Sequence, residues 1–348
     1  MDKIYRLIIL SFVLFTFFSC DKEEDLLDES VVVTEQAYQN ELDEWIYENL
    51  TLPYNVEVKY KWNDGEVDNQ FSVVPPKIEK AKEFLEAYLN IWIKSYEAEA
   101  KAGGDPAYLH KYMPKLLVLV GSPAYMNNSL VLGMAEGGRK VSIFDVNSFG
   151  NFQIWGWESE ERLLELKKDA IVKSFHTLHH EFAHIMHQTK FYTNDFKEIC
   201  KGDYTANWQG VTDEVANIKG FVTPYSMLNE NEDFVEIVAA MLTKVLNSNE
   251  AKLWKSTQLN GEDGYVTDEV GDIYLSEWEG LLYTWNWVIN EDTWTWLTTP
   301  ESYESKKKFE QKVDIVTTYY QEKWGVDLYS LQKRIEAATE LLINEQNN

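Results

Sequence analysis

Cysteine is nearly absent from this chain: 348 residues hold two, Cys20 and Cys200. Two thiols exclude a disulfide framework and any multi-cysteine zinc or iron–sulfur site, so metal chemistry here must use histidine and carboxylate. Basic residues are scarce too, 32 Lys and Arg against 58 Asp and Glu, for a formal charge of −26. That balance argues against nucleic acid as a partner, because neutralising phosphates needs a basic face. It also disfavours unaided adhesion to an anionic membrane surface. The amino-terminal apolar stretch, Leu7 to Phe18, is only 12 residues long, whereas a membrane-crossing helix needs about 20. What the chain does have is apolar and aromatic material, 45% and 14% of residues, enough to exclude disorder as its dominant state. There are six histidines; His110 stands alone, and His176, His179, His180, His184 and His187 crowd into one short segment.

Lys3 and Arg6 precede the apolar stretch, and small Ser19 and Cys20 follow it. This is the layout of a secretory signal peptide over residues 1–19. Phe17-Phe18-Ser19-Cys20 resembles a bacterial lipobox, which makes Cys20 the expected lipidation site and mature amino terminus. Asp21-Lys22-Glu23-Glu24-Asp25 resembles the export signal that sends lipoproteins to the outer surface in a group of Gram-negative gut bacteria. The expectation is a lipid-anchored protein of the outer membrane facing the exterior, with residues 20–36 as an acidic tether. Cys200 then has no partner and is expected as a reduced, packed thiol.

Along residues 37–348 the pattern alternates between elements. Ala37 to Leu50 reads as an amphipathic helix and Pro53 to Trp62 as a strand; Lys77 to Ala102 reads as a long helix between Pro75-Pro76 and Gly103-Gly104. Leu116 to Val120 and Lys140 to Phe144 read as strands, with Gly133 to Gly138 as a turn and an antiparallel pairing expected. A helix opens at Ser159, a favourable cap followed by Glu160 and Glu161, and runs to about His187 with room for a break. Phe234 to Leu246 reads as a second apolar helix, and residues 303–345 as two more, parted at Trp324-Gly325-Val326-Asp327.

Within the helix from Ser159 lies His180-Glu181-Phe182-Ala183-His184, an HExxH motif. Positions i and i+4 of a helix lie about 40° apart in projection and about 6 Å along the axis, so both imidazoles converge on one ion. Glu181, about 100° round from His180, is placed to meet a water beside the ion and act as a general base. A hydrolytic zinc site takes three protein ligands and keeps one position open. His187 shares the face but lies about 10.5 Å from His180 along a straight helix, which suits a structural or orienting role better than ligation. Glu232 and Glu236 stand at i and i+4 on the opening turn of the second helix, so one can bind while the other orients a histidine. Acids there also simply favour a helix amino terminus. Tyr225, just upstream, is placed to reach an oxyanion.

HEFAH followed by GFVTPYSMLNENEDFVEIVA (Gly220 to Ala239) resembles the gluzincin metallopeptidases, in the branch that includes the lethal-factor-like peptidases. With PYNVEVKYKW and YYQEKWGVDLYSLQKRI, the mature chain resembles the substrate import-associated zinc metallohydrolase lipoproteins. The resemblance implies Zn2+ held by His180, His184 and Glu232, with Glu181 as base, Tyr225 as oxyanion stabiliser and Glu236 behind the ligands. It further implies an α+β zincin-like fold with a small mixed or antiparallel sheet and an active-site helix pair. A peptide or protein substrate and an outer-membrane nutrient-import complex are the partners it suggests. Val235 replaces the usual Ala, a conservative change. Residues 256–300 depart further, as a Trp-rich insertion with Trp278, Trp285, Trp287, Trp294 and Trp296. Such a patch can stack on sugars or apolar peptide but is more often core. The alternative function is a surface lipoprotein with an inactive site that binds glycan or protein.

Overall fold

The computed structural model describes residues 40–61, 65–68, 70–126, 129–136, 139–151, 156, 159–243, 252–259, 266–274, 287–290, 295–298 and 300–346. The expected signal peptide, lipidated Cys20 and acidic tether lie outside these residues.

The architecture is α+β. After α1 (Glu41–Ile46) and a wider π turn (Tyr47–Thr51), β1 (Glu57–Lys59) is shorter than its alternating sequence predicts, because Leu52–Tyr54 stays helical. The long helix α2 is continuous but underwound in its middle, passing from Ile78–Ala87 through a π segment, Tyr88–Ile93, to Lys94–Ala102. A short α3 (Tyr108–Tyr112) leads to β2 (Leu116–Leu119), the hairpin β3 (Ala124–Met126) and β4 (Ser129–Val131), then β5 (Gly133–Glu136) and β6 (Lys140–Ile143).

The sheet runs β1-β2-β6-β5 and corrects two expectations. Leu116 pairs with Lys140 and Leu119 with Ile143 in a parallel ladder, so β2 and β6 are not antiparallel. Gly133–Glu136, expected as a turn, is itself the strand antiparallel to β6, with Gly133 opposite Ile143. The reason is in the connection: the chain reverses through the β3–β4 hairpin and again after β5, and it re-enters beside β2 in the original direction. The sheet therefore ends in an antiparallel edge strand.

The helix expected from Ser159 is two, α4 (Glu160–Ser174) and α5 (His176–Thr189). They part at Phe175, which is fully buried against Phe84 and Phe149. Then follow α6 (Asp195–Ile199), α7 (Asp213–Ile218) and α8 (Glu230–Thr243), and, in the carboxy-terminal part, α9 (Pro300–Trp324) and α10 (Leu328–Gln346). Between α8 and α9 the Trp-rich stretch contains a second, antiparallel sheet, with β7 (Lys252–Leu259), β8 (Val266–Tyr274), β9 (Trp287–Asn290) and β10 (Thr295–Thr298) in the order β7-β8-β10-β9. The roles of Trp278, Trp285 and Trp294 lie outside the described residues.

Helices α5 and α8 pack face to face. Phe182, Ile185 and Met186 of one helix and Phe234, Val238 and Met241 of the other belong to the same buried cluster. Every residue of α8 from Asp233 to Thr243 is buried, charged ones included. A helix apolar on nearly all sides is a core helix, and its polar residues must therefore find partners.

Candidate metal centre

Asn229 positions the opening turn of α8. Its Oδ1 accepts from the backbone N–H of Asn231 at 2.9 Å and of Glu232 at 3.1 Å, satisfying donors that a helix start leaves free. Glu232 is thereby turned toward α5. Its Oε2 lies 3.2 Å from His180 Nε2 and 3.3 Å from His184 Nε2. Donors about 2.1 Å from a tetrahedral zinc stand about 3.4 Å from one another, so this set has the right chemistry and spacing for the ion. Two imidazole nitrogens and a carboxylate leave a fourth position open, as a hydrolytic site requires.

A second group stands behind the first. Glu236 Oε1 lies 2.8 Å from His180 Nδ1 and 2.9 Å from His176 Nε2, and Thr223 Oγ1 donates to Glu236 Oε2 at 2.8 Å. Both groups have the composition of a metal site, yet both draw on the His180 ring. One imidazole that gives its Nδ1 proton to Glu236 keeps the Nε2 lone pair for an ion. The two groups thus act as one device, the outer one orienting the inner. His184 has an equivalent support, since its Nδ1 lies 2.9 Å from Nε2 of buried His187. His187 thus sits behind His184. His176 was not singled out from the sequence, although its place four residues before His180 puts it on the same stripe. His110 is elsewhere, stacked on Tyr54, and Cys200 is free and buried.

Carboxylates and imidazoles face one another across the helix pair. Burial opposes ionisation of Glu232, but hydrogen bonds from His180 and His184 outweigh it and hold the carboxyl at about 2. Burial likewise opposes a charge on His180, while Glu232 and Glu236 raise it to about 10. Glu236 is also held well below the ordinary carboxylate range, its burial overcome first by His176 and then by His180. His187 drops to about 4, chiefly through burial and then through His184, so it stays neutral at pH 7.

Glu181 lies on α5 beside the backbone of Ala135 in β5, which favours its charged form; burial, the largest influence, raises its pKa. Gly133 makes this approach possible. A Cβ there would collide with Thr177 Cγ2 on α5 and come within 3.2 Å of Ser142 O. Tyr225 opens a short 3₁₀ turn, Tyr225–Met227, with its ring 5.8 Å from that of His180 and Trp208 packed edge-on at 5.0 Å. Burial, followed by the charge of nearby Glu232, raises its pKa. It remains a donor at neutral pH. The fold thus gathers His180, His184, Glu232, Glu181, Tyr225 and Glu236 from three separate segments.

Comparison with known proteins points to the class of such a centre. The chain resembles a crystal structure of a "putative zinc-binding metallo-peptidase" from Bacteroides caccae, at 25% identity and a TM-score of 0.55, over 87% of this chain and 93% of that one. No curated protein matches the sequence. A family described in the same words matches residues 35–329. With most of its length inside that match, the chain belongs to this zinc-binding metallo-peptidase family.

Proposed function

We propose that the protein is a zinc-dependent peptidase whose ion is held by His180, His184 and Glu232. The observation that carries this reading is the convergence of His180 Nε2, His184 Nε2 and a Glu232 oxygen beside both a carboxylate and a phenol. Bound there, zinc would lower the pKa of a water toward about 7 and polarise a carbonyl. The side chains supply the remaining steps. Glu181 takes the proton of the attacking water and returns it to the departing amine. Tyr225 donates its hydroxyl proton in a hydrogen bond to the developing oxyanion. Glu236 and His187 keep the two imidazoles in the tautomer and orientation that ligation needs.

Strand β5 supplies a platform for substrate. It is the last strand of its sheet and borders Glu181, so an extended peptide can add to it by main-chain hydrogen bonds. A cavity of about 450 Å3, lined by Leu132, Ile143, Phe149, Leu166, Ala170 and Thr177, opens at the start of this strand. It suits a large apolar side chain of the substrate. The lipobox-like Phe17-Phe18-Ser19-Cys20 and the acidic stretch after it support lipidation at Cys20 and a place on the outer surface of the outer membrane, and the resemblance to the import-associated lipoproteins suggests a neighbouring nutrient-import complex. Against an inactive binding protein stands the pairing of Glu181 with Tyr225, since a purely structural metal site has no use for a base.

Metal analysis of the purified 21–348 protein, with cleavage of an unbiased peptide library by wild type and Glu181→Gln, tests the reading. One equivalent of zinc in both, and cleavage only by wild type, is expected. Zinc without cleavage would remove the peptidase assignment, and absence of zinc would remove the metal centre.

A further inference from the structure

Helix α9 carries a lysine on its buried stripe. Ser305, Phe309, Lys312, Val316 and Tyr320 recur at helical spacing, and all are buried. Lys312 is 0% exposed, as is its partner Asp233, with Nζ 2.6 Å from Oδ2. The ammonium also donates to the Gly220 carbonyl at 2.8 Å and stands 4.2 Å from the centre of the Phe221 ring. Asp233 Oδ2 takes a further hydrogen bond from the Tyr204 hydroxyl at 3.0 Å, while Oδ1 has no partner in the structure. On the same side of α9, Lys308 Nζ donates to Lys219 O at 3.1 Å and Ser305 Oγ to Asn217 O. Three donors of α9 therefore hold carbonyls at the end of α7 and in the turn beyond it, groups that a helix terminus leaves unsatisfied.

Stability does not account for the ion pair. Each buried ion costs several kcal/mol in lost hydration, and well-packed apolar residues often replace such pairs without loss. Its placement suggests another use. Asp233 directly follows Glu232, and Gly220, held at φ +89°, opens the segment that leads to Tyr225. One ammonium thus ties together the turn bearing a metal ligand and the loop bearing the phenol.

We infer that Lys312 is a positioning residue of the metal centre: through Asp233 it fixes the turn of Glu232, and through the Gly220 carbonyl it fixes the loop of Tyr225. The inference rests on the zinc-peptidase reading above. It makes α9, remote in sequence from the HExxH helix, the element that sets the spacing between ligand and oxyanion donor.

The test uses the 21–348 protein carrying Lys312→Met with Asp233→Asn, which removes both charges while nearly conserving shape. Melting within a few degrees of wild type is expected, with zinc affinity in chelator competition about tenfold or more weaker. The visible spectrum of the cobalt-substituted protein should shift, and kcat should fall more than KM rises. Tyr204→Phe, which removes only one hydrogen bond to Asp233, should weaken zinc several-fold and serves if the double variant does not fold. Wild-type zinc affinity and cobalt spectrum in a folded variant would overturn this inference and leave the metal centre standing. A wild-type chain that takes up no zinc would overturn both.

Discussion

Gly133→Ala probes the contact that sets the distance between the sheet edge and the active helix. The added methyl would meet Thr177 Cγ2 inside van der Waals contact and crowd Ser142 O at 3.2 Å. Carbon atoms rest about 3.5–4.0 Å apart, so β5 or α5 must yield by on the order of 1 Å. Overpacking of this kind costs about 1–3 kcal/mol, and for a chain of this size a fall of several degrees in melting temperature follows. The catalytic effect should be larger. β5 carries Ala135, whose backbone lies beside Glu181, and misplacement by about 1 Å costs on the order of 100-fold in rate. A fluorogenic peptide assay should show kcat/KM reduced about 10- to 100-fold with zinc content unchanged. Thr177→Ser, which removes the clashing methyl, should restore most of the loss in the double variant. Gly133→Ala with wild-type melting and turnover, or no rescue by Thr177→Ser, would refute the reasoning.

Other substitutions separate the roles of the remaining residues. Glu232→Ala should lose most bound zinc, whereas His187→Gln should keep it with affinity reduced about 10- to 100-fold; equal loss in both would reverse the assignment of ligand and support. Tyr225→Phe should lower kcat about 100- to 1,000-fold with zinc content unaltered, and unchanged turnover would remove the phenol from the mechanism. Because burial raises the Glu181 pKa, the acidic limb of the wild-type kcat/KM profile should lie above the ordinary carboxylate range, and a limb within that range would remove Glu181 as the base. Burial, aided by His176, lowers His179 to about 3 from 6.5. The unfolded chain then binds the extra proton between these values, so stability is full above pH 6.5 and falls with acid until about pH 3. The slope from this residue approaches about 1.4 kcal/mol per pH unit, and urea titrations of zinc-free His179→Gln at pH 7, 6 and 5 should show it flattened.

Much of the site was legible in the sequence because its information is local. HExxH states which side chains share a helical face, and Glu232 with Glu236 repeats that statement four residues apart, so helical periodicity alone places each pair. The long helices likewise follow from apolar spacing, Pro75-Pro76 and Gly103-Gly104. Strand direction was not legible. Short apolar runs such as LLVLV and KVSIF carry no sign of parallel or antiparallel pairing, and GMAE reads as a turn until it is seen beside β6. His176 and Lys312 escaped for a related reason: each takes its meaning from a partner, Glu236 or Asp233, that lies distant in sequence.

The sequence by itself determined the chemistry available: scarce thiols, five crowded histidines, and carboxylates spaced for one helix face. Tertiary structure decided which carboxylate meets which imidazole. Packing α8 against α5 brings Glu232 to the Nε2 side of His180 and Glu236 to the Nδ1 side. Folding β5 back as an edge strand brings the Ala135 backbone beside Glu181. Distances between segments follow from how whole helices and strands pack, and no local pattern of residues encodes them.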